Sequence, residues 1–383
     1  MSVTAKHSGL GQFDPVFLLN DPAGAPLAIL CVVDGPGATW RISFEQPLQR
    51  LRDSGAVRLM AVTEESLANF IRTGNSEVFA SLAARLKIST LIVSRCHRGT
   101  TLMLVLACRQ LGIAVIYHID DDLLNVPSTV SVSKHLFYSS PARQSPMRMM
   151  MRSSSVVYCS TRALAYRVQR LDGLPKVHHG EIYCSAESSP ARYVPHESRT
   201  IGYMGTAGHG ADIGLIVPAI ATILTAYSDV IVEIFGTVAV PRALAIPFAG
   251  RVRQVPPVSD YDEFTDKLRS LKWAAALAPL STSHFNSVKA ETKFIEYTYA
   301  GMPVIASSGG VYDRLAAGGR GLLADGTAEW VSAMSSLLCD ASRASEMVRS
   351  AQSFILRNYS RKRLEKQVMD VIGMATSLAS KGA

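Results

Sequence analysis

The chain is 383 residues long, 48% hydrophobic and 18% charged, with a formal net charge of +8. That length exceeds what one core usually fills and the composition excludes intrinsic disorder, so about two globular domains are expected, with a cleft between them. The basic residues are spread through the expected helices and strand ends and do not interleave with aromatics; this argues against a nucleic-acid binder and suits a phosphate-bearing ligand, an anionic membrane surface, or simple solubility.

The opening "MSVTAKHSGLGQFDPVFLLNDP" lacks the charged start and apolar core of a signal peptide. From Leu27, short β-branched runs alternate with amphipathic stretches: "LAILCVVD", "RISFEQPLQRLRDSG", "VRLMAV", a helical stretch ending in "SLAARLK", "TLIVSRC", "TLMLVLACRQLG" and "IAVIYHID". Nearly continuous apolar strands in β-α-β-α order indicate a parallel sheet covered on both faces. "CVVDGPGATWR" places Gly35, Pro36 and Gly37 in a turn at a strand end. "VSRCHRG" sets Arg95, His97 and Arg98 after another strand, either as donors to an anionic or hydroxylated ligand or as a surface loop capping the next helix. "YHIDDDLLNVP" follows with Asp120, Asp121 and Asp122, adjacent carboxylates that repel unless a cation or basic groups offset them. A Met- and Arg-rich helix ("SPMRMMMRSS"), the strand "SVVYCS" and the helix "RALAYRVQRL" complete this half.

Residues 184–199, "CSAESSPARYVPHESR", are Ser- and Pro-rich without periodicity and read as a linker. A second α/β cycle follows in "TIGYMG", "AIATILTAYS", "DVIVEIFG", "RVRQVPP", "YDEFTDKLRSL", "WAAALAPL", "ETKFIEYTYAG", "PVIASSGG" and "RGLLAD", with helices to about residue 380. The longest apolar run, "GLIVPAIATILTAY", is too short and Pro-interrupted to span a bilayer. The cysteines Cys31, Cys96, Cys108, Cys159, Cys184 and Cys339 show no CxxC spacing and sit mostly in apolar runs, as reduced thiols of a cytoplasmic protein do. The expected architecture is therefore α/β, two doubly wound Rossmann-like domains facing a cleft: 1–190, 200–360, and a C-terminal helix over 361–383.

In "SVKAETKFIEYTYAG" a helix beginning between Val288 and Ala290 places Lys289, Lys293 and Glu296 on one face, and turns Phe294, Ile295 and Thr298 to the sheet. A solvated Lys and Glu stripe would explain that face by itself. The position at a strand's carboxyl end favours a ligand, because cations at a helix start oppose the macrodipole unless an anion lies between them. Glu296, one or two turns deeper, suits hydrogen bonds from vicinal sugar hydroxyls. Gly309 and Gly310 serve equally well as a strand cap, and His284 and Asn286 rank low as loop residues.

The stretch "KFIEYTYAGMPVIASSGGVYDRL", with "GLLADGTAEWVSAMSSLLCD", "SFILRNYS" and "IGYMGTAGHGADIGLIVPAI", resembles the C-terminal domain of family 4 and group 1 glycosyltransferases of the two-domain GT-B fold, over roughly residues 200–360. That resemblance implies that Glu296 holds the ribose of a nucleotide donor, and that Gly205 and Thr206 lie near its diphosphate. The chain departs from the pattern in having Val288 where relatives carry an earlier glutamate. It also has only His209 in "GTAGHGAD", where they carry an Arg and Lys pair, so Lys289 and Lys293 are assigned the phosphate charge.

The resulting expectation is a glycosyltransferase moving a sugar, with retention, from a nucleotide-diphosphate donor to an acceptor hydroxyl in bacterial surface glycan synthesis. Lys289, Lys293 and Glu296 act on the donor, with Gly205, Thr206 and His209 beside it; Arg95, His97, Asp120 and Asp122 lie on the acceptor side. The expected partners are a nucleotide sugar and a glycan or lipid-linked acceptor, with peripheral contact at the inner membrane face. No nucleic acid, resident metal or cofactor beyond the donor substrate is expected. Two alternatives stay open: a nucleotide-sugar 2-epimerase of the same fold and a non-catalytic binding relative. A rival metal site of the GT-A type at Asp120 and Asp122 has the complete second α/β domain against it, which a GT-A fold would not need.

Overall fold

The computed structural model describes residues 6–7, 17–18, 25–35, 37–70, 76–186, 189–194 and 199–382. The chain divides into two compact units, one of Met1–Val126, Ser133–Tyr183 and Lys362–Ala383, the other of Pro127–Val132 and Cys184–Arg361.

The strands of the first unit are β1 Lys6–His7, β2 Phe17–Leu18, β3 Leu27–Val33, β4 Val57–Thr63, β5 Thr90–Ser94, β6 Ala114–Ile119, β7 Val156–Cys159 and β8 Lys176–His179. They form one sheet in the order β1-β2-β4-β3-β5-β6-β7-β8. β3 to β8 are parallel, and β1 and β2 add an antiparallel pair at the β4 edge. Every residue of β5 and β6 is buried, as expected of strands with helices on both faces. Their apolar, β-branched sequences made them legible. β8, "KVHH", was not anticipated, being a short half-exposed edge strand with no hydrophobic alternation.

The connections leaving β5, β6 and β7 all step the same way along the sheet. Right-handed crossovers therefore put the helices Gly99–Gln110, Pro141–Ser153 and Arg162–Val168 on one face, and the first two pack against each other. The final helix, Arg361–Gly382, also belongs to this unit from Lys362 onward. Arg50 donates to Glu365 at 2.9 Å, and the Gln367 amide bonds Tyr158, Glu181 and Ile182.

The second unit holds β9 Thr200–Gly205, β10 Ile231–Gly236, β11 Val252–Val255, β12 Ala275–Ala278, β13 Val304–Ser307 and β14 Leu322–Ala324. These six parallel strands are ordered β11-β10-β9-β12-β13-β14. The described part of the expected linker has no regular structure beyond an isolated bridge from Ala186 to Ser360; Pro36 and linker residues 187–188 and 195–198 lie outside the described residues.

One expectation is corrected here. The turn Ala207–His209 continues into the helix Gly210–Ala226, so residues 207–226 are long and apolar enough, by length and composition, to cross a membrane. Ile213, Ile216, Ile220 and Ile223 of that helix are instead buried in the core of the second unit with Tyr203, Val232 and Leu277. All six cysteines are free; five are buried and Cys339 is exposed. Burial pushes the Cys108 thiol up to about 12, so it stays protonated at neutral pH.

Candidate functional site

Strand order reverses between β9 and β12 in the second sheet and between β3 and β5 in the first. Open α/β sheets bind ligands outside the carboxyl ends of their strands at such points. Most of the singled-out residues lie at these two places.

In the second unit, β9 ends at Gly205, whose carbonyl accepts from Val238 at 3.1 Å. Across from it Gly236 has φ +110, and a Cβ there would stand 2.4 Å from the Gly205 oxygen, so only glycine fits. Thr237 fixes the next turn by accepting from the Ala207 N–H at 3.0 Å. The loop Gly205–Thr206 is thus held from the neighbouring strand end. His209 follows, and its Nδ1 donates to Asp212 at 2.8 Å, while the other oxygen of Asp212 accepts from the Ser281 N–H at 3.0 Å. Burial, with Lys293 and Lys289 adding to it, lowers the His209 imidazole to about 4, so it is neutral at pH 7. Asp212 is 4% exposed; burial alone would raise its carboxyl, but the His209 and Ser281 bonds outweigh that and hold it below the ordinary value. Sequence reading missed Asp212, whose one signal was an acid in a helix's first turn, hidden by the long apolar run after it.

The expected single face for Lys289, Lys293 and Glu296 is corrected. Asn286–Val288 is a 3-10 turn, Lys289 is extended (φ −67, ψ 155), and the helix starts at Thr292 and runs to Tyr299. The Asn286 side-chain amide holds that turn through bonds to the Ser281 carbonyl and hydroxyl, both 2.9 Å. Only Lys293 and Glu296 are helical, and they turn to tyrosines rather than to each other. Lys293 Nζ lies 3.3 Å from the Tyr203 hydroxyl and 4.7 Å from its ring centre. Tyr261 donates to Glu296 at 2.8 Å. Burial lowers Lys293 to about 8, with the like charge of Lys289 contributing, and raises Glu296 to about 7 against the Tyr261 bond and the Lys293 charge. Lys289 reaches the same field from its loop, its Nζ 5.1 Å from the Phe285 ring. Phe294, Ile295 and Thr298 are buried as expected.

A pocket beside this cluster is lined by Ser281, Ser283, Asn286, Ser307, Gly309 and Tyr312. Asn286, ranked low from sequence, is buried there, and its Oδ1 has no hydrogen-bond partner.

In the first unit a pocket at the switch point is lined by Asp34, Gly35, Gly37, Thr39, Ser94 and Arg95. Arg95 is left-handed at φ +61, a strained region for a non-glycine residue, held by its N–H bond to the His118 carbonyl at 3.0 Å. That backbone turns its guanidinium onto Asp120, 2.8 and 3.0 Å from the two oxygens. Thr39 and Tyr183 also donate to Asp120, each at 2.9 Å. Burial alone would raise its carboxyl, but Arg95, His118 and these hydroxyls more than offset that, and it stays ionised.

His97 and Asp122 do not line this pocket, which corrects their expected ligand roles. Each is 2% exposed. The His97 Nδ1 donates to Glu64 at 2.5 Å and its Nε2 accepts from Arg143; Asp122 accepts from Arg167 at 2.8 Å and from Asn125. Both are positioning groups under the loops. Asp120 and Asp122 are therefore bound to different arginines and do not converge as a pair, against the GT-A alternative. Asp34, Glu64 and His97 bring ligand atoms within 4.8 Å of one another. One oxygen of Glu64 already accepts from His97 N, Arg98 N and Thr101, and the other from His97 Nδ1, so little donor capacity is left for a cation.

Two doubly wound sheets, each with its polar groups at the strand-order reversal, define the two Rossmann-like domains of the GT-B fold. Anabaena HepE, solved in complex with UDP-glucose, has the same fold: TM-score 0.63 and 13% identity, over 91% of this chain and 99% of that one. The UDP-forming α,α-trehalose-phosphate synthase of Burkholderia xenovorans gives 0.57 and 11%, over 90% and 98%. A Listeria monocytogenes protein assigned as a UDP-N-acetylglucosamine 2-epimerase gives 0.52 and 10%, over 90% and 95%. No family model matches the sequence, and no curated protein matches it.

Proposed function

We propose that the protein is a glycosyltransferase that moves a sugar from a nucleotide-diphosphate donor to an acceptor hydroxyl, with retention of configuration, in the synthesis of a bacterial surface glycan. The observation that carries this reading is the cluster at the β9/β12 switch point: two lysines, a carboxylate and a pinned glycine loop around one spot. Lys293 and Lys289 neutralise the diphosphate, Glu296 accepts from the ribose hydroxyls, and Gly205 and Thr206 let the phosphates approach the backbone. Neutral His209, fixed by Asp212, presents Nε2 as an acceptor to a sugar hydroxyl. In the first unit Arg95 and Asp120 orient the acceptor in the pocket of Asp34 and Ser94. This chemistry needs a stabilised leaving group and a positioned hydroxyl more than a strong base.

The fold likeness to HepE and to the trehalose-phosphate synthase supports this reading. The likeness to the Listeria protein keeps a second one, epimerisation of a free nucleotide sugar. Incubating the protein with a panel of nucleotide sugars, with and without lipid-linked acceptors, separates the two. Acceptor-dependent release of nucleoside diphosphate is the expected result. Epimerisation without acceptor would replace the proposal with the second reading, and binding without turnover would replace it with a non-catalytic one.

A further inference from the structure

Half of the Asn286 amide is accounted for by the turn it holds, and half is not. Its Nδ2 donates to the carbonyl and the hydroxyl of Ser281, both at 2.9 Å, and its backbone N–H donates to the Ser283 hydroxyl at 3.0 Å. A carbonyl only accepts, so the amide cannot be turned over, and Oδ1 is fixed on its other side. Asn286 is 4% exposed, and that oxygen is buried with no hydrogen-bond partner. An unpaired buried acceptor is destabilising, and the turn needs only the Nδ2 side, so the turn gives no reason for it.

The pocket that Asn286 lines lies at the carboxyl ends of β12 and β13. None of its lining residues is charged. The hydroxyl oxygens of Ser283 and Ser307 accept from the N–H groups of Asn286 and Leu280, each at 3.0 Å, so each hydroxyl still has a hydrogen to give. The cavity measures about 50 Å3, room for one hydroxyl-bearing arm of a sugar and too little for its ring. Gly309 and Gly310 complete the lining, and a Cβ on either would meet nothing within 4 Å, so that side is open. The pocket adjoins the lysine cluster through its own backbone. The Lys289 N–H donates to the Asn286 carbonyl at 3.2 Å, and the Ser281 N–H donates to Asp212, which holds His209.

We infer that this pocket reads the sugar of the donor, with Asn286 Oδ1 accepting from one sugar hydroxyl and Ser283 and Ser307 donating to the same arm. The matching group is uncharged and both donates and accepts. A carboxylate or phosphate oxygen brings no hydrogen to Oδ1 and finds no cation in the lining, and a deoxygenated position leaves Oδ1 unpaired. The donor class is therefore a nucleoside diphosphate carrying a neutral, hydroxylated sugar, and Asn286 is a specificity-determining residue. The inference rests on the nucleotide site proposed above and adds to it the recognition of the sugar.

The test is calorimetric titration of the native chain with UDP, GDP, ADP and dTDP and with the hexose conjugates of each. The tightest conjugate is then compared with analogues in which each sugar hydroxyl in turn is replaced by fluorine, which cannot donate. One analogue should bind about tenfold more weakly than its parent, the loss expected for one buried hydrogen bond, and the others nearly as well as the parent. In Asn286→Ala the parent and that analogue should bind alike. The readout is their ratio, because a turn that merely slackened would weaken both together and leave the ratio as it was. An unchanged ratio in the variant overturns the inference, and so does equal binding of all analogues by the native chain, which needs no variant to fold. If the diphosphates bind and the analogues do not differ, the nucleotide site stands and this inference alone falls. If no nucleotide binds, both fall.

Discussion

Lys293 and Glu296 are set at opposite ends of a narrow pH interval. Glu296, raised from 4.5 to about 7, keeps its proton in the native state where the unfolded chain has lost it, so its contribution to stability falls as pH rises through that window. Lys293, lowered from 10.5 to about 8, has released its proton where the unfolded chain still holds it, so stability rises with pH from about 8 to 10.5. In the nucleotide site proposed above the signs combine differently: a ribose would need Glu296 ionised and a diphosphate would need Lys293 charged. Titrating a nucleoside diphosphate against pH should give tightest binding between about 7 and 8, and Glu296→Gln should remove the acid limb only. Glu296→Ala should weaken binding by about 1.5 to 3 kcal/mol, the cost of one charged hydrogen bond, with the fold intact; unchanged affinity would take Glu296 out of the site. Lys293→Ala should sharply lower donor affinity or turnover while leaving the ligand-free melting temperature unchanged or slightly higher, because a partly buried charge is relieved. Normal turnover with a lower melting temperature would mark a structural lysine.

At the scale of elements, the loops matter more than the helices they join. Gly236→Ala puts a methyl group against the Gly205 carbonyl in a backbone region alanine avoids. It should cost about 1 to 3 kcal/mol of stability and also weaken nucleotide binding by displacing Thr206. Calorimetry showing lost stability with unchanged affinity would separate that loop from the ligand. Which elements exist was legible in sequence because buried parallel strands are written as apolar runs, as "TLIVS" and "AVIYHI" are. The start of the helix carrying Lys293 was not. Asn286 and Ser281 organise a turn before it through side chains distant from any periodic pattern, and that turn takes Lys289 off the helix. The burial of His97 and Asp122 was hidden for a related reason. Their partners Glu64, Arg143 and Arg167 come from elements 33 to 46 residues away, and a local reading sees only polar residues in a loop.

For the molecule as a whole, the distribution of carboxylates favours a transfer reaction that runs without a divalent cation. Asp120 and Asp122 are each committed to an arginine, and beside the glycine loop stand two lysines and an Asp212 whose oxygens already accept from His209 and the Ser281 N–H. Chelation by EDTA should therefore leave turnover nearly intact; activity lost on chelation and restored by manganese would return the diphosphate to the aspartates.

The chain's last helix lies with its first unit, where Leu364, Val368, Val371, Ile372 and Ala375 are buried and Gln367 bonds the segment after β8. In order of synthesis, the unit that begins first is finished last. While residues 184–361 emerge and fold, the earlier sheet waits with an uncovered apolar strip and an Arg50 lacking its carboxylate. A chain ending at Arg361 should accordingly lose thermal stability and aggregate through the first unit, although every residue of the second sheet is still present. Limited proteolysis followed by mass analysis would show this as early cleavage within residues 1–183 and persistence of a fragment covering 184–361. Early cleavage in the second unit would mean that the helix serves that unit instead.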